Sequence, residues 1–141
     1  MVKTQPVSLR IPEDVRAEIE ATARRSGRDF SSVAKEMLTE AIKMRRIPGI
    51  IFADGPNRRV ARVAGTGLEV FEIVAAFRNM DEDWERLRAA YHWLSEQQLR
   101  AALAYAAAYP EEIEERLRAE ERWTPETLWT TYPFMKPRRT E

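Results

Sequence analysis

The spacing of hydrophobic residues changes period several times along this chain, and each change predicts a different kind of element. Val7, Leu9 and Ile11 alternate with Ser8 and Arg10. A period of two predicts a strand with one apolar face and one polar face. Pro12 ends it, and Glu13 and Asp14 suit the positive end of a helix dipole. A first helix follows from about residue 13, with Val15, Ile19 and Ala23 as a narrow apolar stripe. Gly27 supplies the turn. A second helix starts within residues 29–32, carries Val33, Met37, Leu38, Ala41 and Ile42 at spacings of three and four, and runs out near Arg46. One strand and two short helices can neither complete a sheet nor enclose their own apolar faces, so residues 1–46 are expected to be an obligate dimerisation unit.

From Ile47 the pattern changes. Two strand-like runs, Ile50 to Ala53 and Val60 to Val63, flank the turn signal Asp54-Gly55-Pro56-Asn57 and predict a small β-hairpin. Three helical patterns follow: Val70, Ile73, Val74 and Phe77; then Trp84, Leu87 and Tyr91; then Leu99, Ala102, Leu103 and Ala106. Ser95 and Gln98 have the spacing of a capping box, and Pro110 opens a polar helix reaching about Glu121. The Glu-rich run from Glu111 to Glu121 reads as a solvated helix face. Residues 122–141 are punctuated by proline and are expected to be an extended tail. Its Trp123, Trp129, Tyr132, Phe134 and Met135 either pack back on the domain or anchor a partner, and Arg138 and Arg139 offer planar donors to carboxylates. The expected class is mainly α, in three segments: 1–46, 47–121 and 122–141.

Composition narrows the chemistry. The 141 residues are 44% hydrophobic and 33% charged, without cysteine, which removes disulfides and thiolate metal sites and suits a reducing compartment. No run approaches the length of a membrane span and no signal-peptide pattern opens the chain, so a cytoplasmic location and no membrane partner are expected. The formal net charge is zero, but residues 1–47 hold ten Lys or Arg against seven acids and the remainder holds thirteen against sixteen. The basic excess lies in the strand-bearing segment, and dimerisation doubles it. His92 is the single histidine, between Tyr91 and Trp93, and is expected to be packed or capping. Asp54, Asp81 and Asp83 lack metal-loop spacing, and Gly65-Thr66-Gly67 is too short to cradle a phosphate. No catalytic residue, metal site or cofactor is expected, and the chain is not read as an enzyme.

The run "VSLRIPEDV…GRDFSSVAKEML", over about residues 4–46, resembles the ribbon-helix-helix family of DNA-binding proteins. That resemblance implies a swapped dimer in which two strands pair into an antiparallel ribbon that enters the major groove. Ser8 and Arg10 would then face the bases, Arg10 suited to guanine, with Lys3 and Thr4 assisting. The family also holds phosphates at the start of its second helix, which here involves Arg28, Ser31 and Ser32. Asp29 departs from that pattern, because a carboxylate there caps the helix but repels a phosphate.

Pro48-Gly49-Ile50, Val63-Ala64-Gly65-Thr66 and "LSEQQLRAALAYAAAYPEEI" resemble the domain of unknown function numbered 433, a strand pair followed by a helix-turn-helix-like bundle. Gly67 stands where that family usually has a basic residue. Glu96, Gln97, Gln98 and Arg100 make a poor phosphate-seeking surface, so this bundle reads as a packing or dimerisation module. A ribbon-helix-helix segment joined to a second module and an aromatic tail is similar to VapB-like antitoxins. The resemblance implies autorepression at operator DNA and neutralisation of a PIN-type ribonuclease, with Arg138 or Arg139 reaching its metal-binding carboxylates. Two alternatives stand beside it: a free-standing regulator whose tail folds home, and a dimeric adaptor that binds no DNA.

Overall fold

The computed structural model describes residues 3–121 and 124–138. They form a mainly helical protein with one small antiparallel hairpin, the coarse class that hydrophobic periodicity predicts. The chain divides into two compact units, residues 1–45 and 46–141.

In the first unit the strand expected over residues 7–11 is not formed: residues 3–12 carry neither helix nor ladder, because a single extended segment has no second strand among the described residues of this unit to hydrogen-bond with. Helix α1, Glu13–Ser26, begins after Pro12 with Glu13 and Asp14 in its first turn and ends with Arg24 and Arg25 in its last, matching charge to dipole at both ends. Gly27 closes it in the left-handed region at φ 66°, a conformation that disfavours any residue with a Cβ. Helix α2, Phe30–Arg46, starts on Asp29, whose Oδ1 accepts the Ser32 backbone N–H at 2.7 Å. Among the described residues, the buried core of this unit is Ile19, Ala23 and Val33, with Ile11 and Ala34 packed against it. Much of the α2 stripe lies open: Met37, Leu38 and Ile42 are exposed.

The second unit encloses a proper core. Strands β1, Ile50–Asp54, and β2, Arg59–Val63, pair antiparallel with Ile50 opposite Val63 and Phe52 opposite Ala61. A Cβ on Gly55 would lie 2.8 Å from the Arg58 carbonyl oxygen, so the tight turn excludes a side chain there. Helix α3, Val70–Asn79, opens on a Glu69–Glu72 capping box; α4, Trp84–Ala90, is capped by Asp83; α5, Glu96–Ala108, carries the Ser95–Gln98 capping box in full. Gln98 also donates through Nε2 to the Ala64 carbonyl at 3.3 Å, tying the start of α5 to the segment after β2. Tyr105, Ile73, Leu87, Leu99, Val63 and Val70 fill the centre. A core of that size lets this unit bury its apolar faces within one chain.

Helix α6, Pro110–Glu121, is not the purely solvated face expected of its glutamates. Ile113 is buried, Arg78 pairs with Glu114, Arg116 lies 4.2 Å over the Phe71 ring and 3.4 Å from Glu69, and Tyr105 donates to Glu112 at 2.5 Å. The tail is not extended either. Thr124 caps and Pro125 starts a seventh helix, α7, Pro125–Thr131, followed by a 3-10 turn over Pro133–Met135. Proline at the first helical position forfeits no helical hydrogen bond, so punctuation that reads as a breaker is here an initiator. No helix among the described residues is long and apolar enough to cross a membrane.

Candidate nucleic-acid interface

Alternation in the N-terminal segment is realised in space. Val7, Leu9 and Ile11 line an open apolar groove of about 760 Å³, completed by Val15 and Ile19 of α1 and Phe30, Ala34, Met37 and Leu38 of α2. Ser8 and Arg10 are exposed and do not line it. Val7 is 84% and Leu9 70% exposed, values that a lone protomer holds only at the cost of apolar surface left in water. Lys3 and Thr4 are also exposed. Arg10 has no ion-pair partner among the described residues, so its guanidinium is available to an external acceptor.

At the start of α2 the arrangement differs. Arg28 pairs with Glu36 at 3.0 Å, and its other terminal nitrogen lies 3.5 Å from the Ser32 carbonyl. The Ser32 backbone N–H and then its hydroxyl hold the Asp29 carboxyl below the ordinary carboxylate range, with Lys35 and Arg28 adding to the effect. Arg28 and Ser32 are therefore engaged inside the chain, while Ser31 is exposed at the edge of the groove. The two ends of the predicted DNA-binding set differ in kind: Lys3, Thr4, Ser8 and Arg10 are open, and Arg28 and Ser32 are occupied.

In the tail, Phe134 is 83% exposed, Tyr132 and Met135 are exposed, Trp129 is half-buried and Arg138 is exposed. Tyr132 and Phe134 meet edge to face at 6.0 Å, which holds the two rings as one projection. Trp123 and Arg139 lie outside the described residues. His92 is exposed rather than packed, its ring set against Trp93 at a centroid distance of 5.3 Å.

In the second unit, Arg100 lies 5.0 Å over the Trp84 ring and pairs with Glu96 at 2.6 Å, so the one cation in the first two turns of α5 is spent within the chain. Met37 and Leu38, from the α2 stripe that is expected to need a second copy, line the groove, and Phe30, which lies outside that stripe, joins them. No family model matches the chain, and neither a curated protein nor a solved structure matches it.

Proposed function

We propose that the chain is a dimeric DNA-binding repressor of the ribbon-helix-helix kind that also acts as a VapB-like antitoxin. In this reading two copies pair their residues 7–11 as an antiparallel ribbon, apolar side chains inward. Ser8 and Arg10 then stand on the outer face, where a guanidinium matches the O6 and N7 acceptors of guanine in the major groove. Lys3 and Thr4 flank the bases. Phosphate contact falls to the N-terminal arm and Ser31, because Arg28 and Ser32 already have partners. The 433-like second unit packs as a scaffold, and the C-terminal aromatics with Arg138 and Arg139 engage an acidic PIN-type ribonuclease. Arginine set among metal-binding carboxylates would neutralise them and displace the metal ion. The protein works in the cytoplasm, without cofactor or catalysis of its own.

The observation that carries the reading is the split of one short segment into two faces. Val7, Leu9 and Ile11 line an unfilled apolar groove while Ser8 and Arg10 remain outside it. Arg10→Ala tests it in the full chain, using a duplex from upstream of its own coding sequence. Binding to that duplex should fall by about 1–3 kcal/mol with loss of sequence preference while the dimer persists. Unchanged binding, or a wild-type protein with no affinity for the duplex, rejects the repressor assignment. Deleting residues 123–141 should leave DNA binding intact and abolish inhibition of a co-expressed ribonuclease encoded alongside. A deletion that unfolds the second unit instead assigns the tail to intramolecular packing.

A further inference from the structure

The floor of the groove in the first unit is apolar, and its rim carries charge of both signs. Asp14 and Glu18 come to that rim from α1 and Lys35 from α2. None of the three has an ion-pair partner among the described residues. Asp14 accepts only the backbone N–H of its neighbour Val15, at 3.0 Å, and Lys35 acts on Asp29 only through space. Other charges on the same helices are satisfied inside the chain, Arg16 with Glu20 and Arg28 with Glu36.

We infer that Asp14, Glu18 and Lys35 form a self-complementary charged rim that selects a second copy of this chain as the occupant of the groove. In a two-fold interface every contact from one residue to another is repeated in reverse. Acids on one helix and a lysine on the other can therefore pair with their own rotated copy. Burial of Val7 and Leu9 drives association with little preference among apolar partners. Charge at the edge decides which partner is accepted and which is repelled. A second copy is favoured over an unrelated amphipathic helix because a unit with three buried core residues needs more apolar burial than it contains. This inference rests on the proposed dimer and is independent of DNA.

Full-length Lys35→Glu and Glu18→Lys proteins, alone and in equimolar mixture, test it by sedimentation equilibrium at low and high salt, with circular dichroism to verify helix content. Each single variant should dimerise about ten- to a hundredfold more weakly than wild type, because two symmetric contacts turn from attraction to repulsion. Mixing should restore association to within about threefold of wild type, since both cross-contacts become attractive again. Folded variants that dimerise like wild type, or that stay weak when mixed, overturn the inference. If Lys35→Glu does not fold, Lys35→Met keeps the reach and removes the charge. Weakening that vanishes at high salt then supports the rim, and weakening independent of salt overturns it. Charge-dependent pairing in a protein without duplex affinity sinks the repressor reading alone. DNA binding by a dimer indifferent to these charges sinks the rim alone. A monomeric wild type removes both.

Discussion

Leu9→Ala separates a dimer held by its N-terminal segment from any arrangement in which that segment is a solvated arm. In the single chain Leu9 is 70% exposed. An exposed leucine can be truncated with a change of stability within about 0.5 kcal/mol. If a second copy covers it, the outcome is different. Full burial of a leucine side chain contributes about 1.5–3 kcal/mol, so covering the exposed portion contributes about 1–2 kcal/mol per protomer. Two-fold symmetry doubles that to about 2–4 kcal/mol per dimer, which weakens the dissociation constant by about 30- to 1,000-fold. Analytical ultracentrifugation across a dilution series reads this directly, with Ser8→Ala as the control on the opposite face and no expected change. An unaltered dissociation constant for Leu9→Ala would refute the reasoning, because no apolar cover could then lie over the groove.

Two further outcomes follow from the second unit. Ile73 is fully buried among Val63, Val70, Leu99 and Tyr105 in one core, so Ile73→Ala should destabilise this unit by about 2–5 kcal/mol in chemical denaturation; a loss below about 1 kcal/mol would mean that the core is not packed as described. The hydrogen bond from Arg78 holds the Glu114 carboxyl below its ordinary range, so its contribution is present above the unfolded carboxylate value and is lost as pH falls through the lower folded value. Arg78→Ala should therefore flatten the acid limb of the pH–stability curve relative to wild type, and an unchanged acid limb would show that the pair does not act in solution.

Local chemistry made much of the fold legible in the sequence. The hairpin followed from two short apolar runs around Asp54-Gly55-Pro56-Asn57, and the start of α5 from Ser95 and Gln98, because turn and cap preferences are set by residues within a few positions of each other. Helix α7 escaped because Pro125 carries opposite meanings inside a helix and at its first position, and only the Thr124 cap resolves which applies. The glutamates of α6 misled for another reason. Arg78, Phe71 and Glu69 are distant in sequence, so nothing local announces that Glu114 and Arg116 pack against them. At the candidate interface, alternation separated Ser8 and Arg10 from the groove-lining Val7, Leu9 and Ile11, but the strand that period two predicts is not formed, because its ladder needs a partner strand that this segment lacks. The engagement of Arg28 with Glu36 was not legible, because eight residues along a turn and a helix must fold before the two meet. The exposure of Met37, Leu38 and Ile42 was legible as a stripe of helical period larger than one strand and two short helices can enclose.

The pairing of residues 7–11 between two copies is tested most directly by isotope-filtered NOE spectroscopy on an equimolar mixture of labelled and unlabelled full-length protein. The account predicts cross-protomer contacts between backbone protons of Val7 to Ile11, in antiparallel order about a two-fold axis, with the Ser8 and Arg10 side chains free of such contacts. A monomer at the concentrations used, or a dimer in which this segment shows no contact with its counterpart, would contradict it.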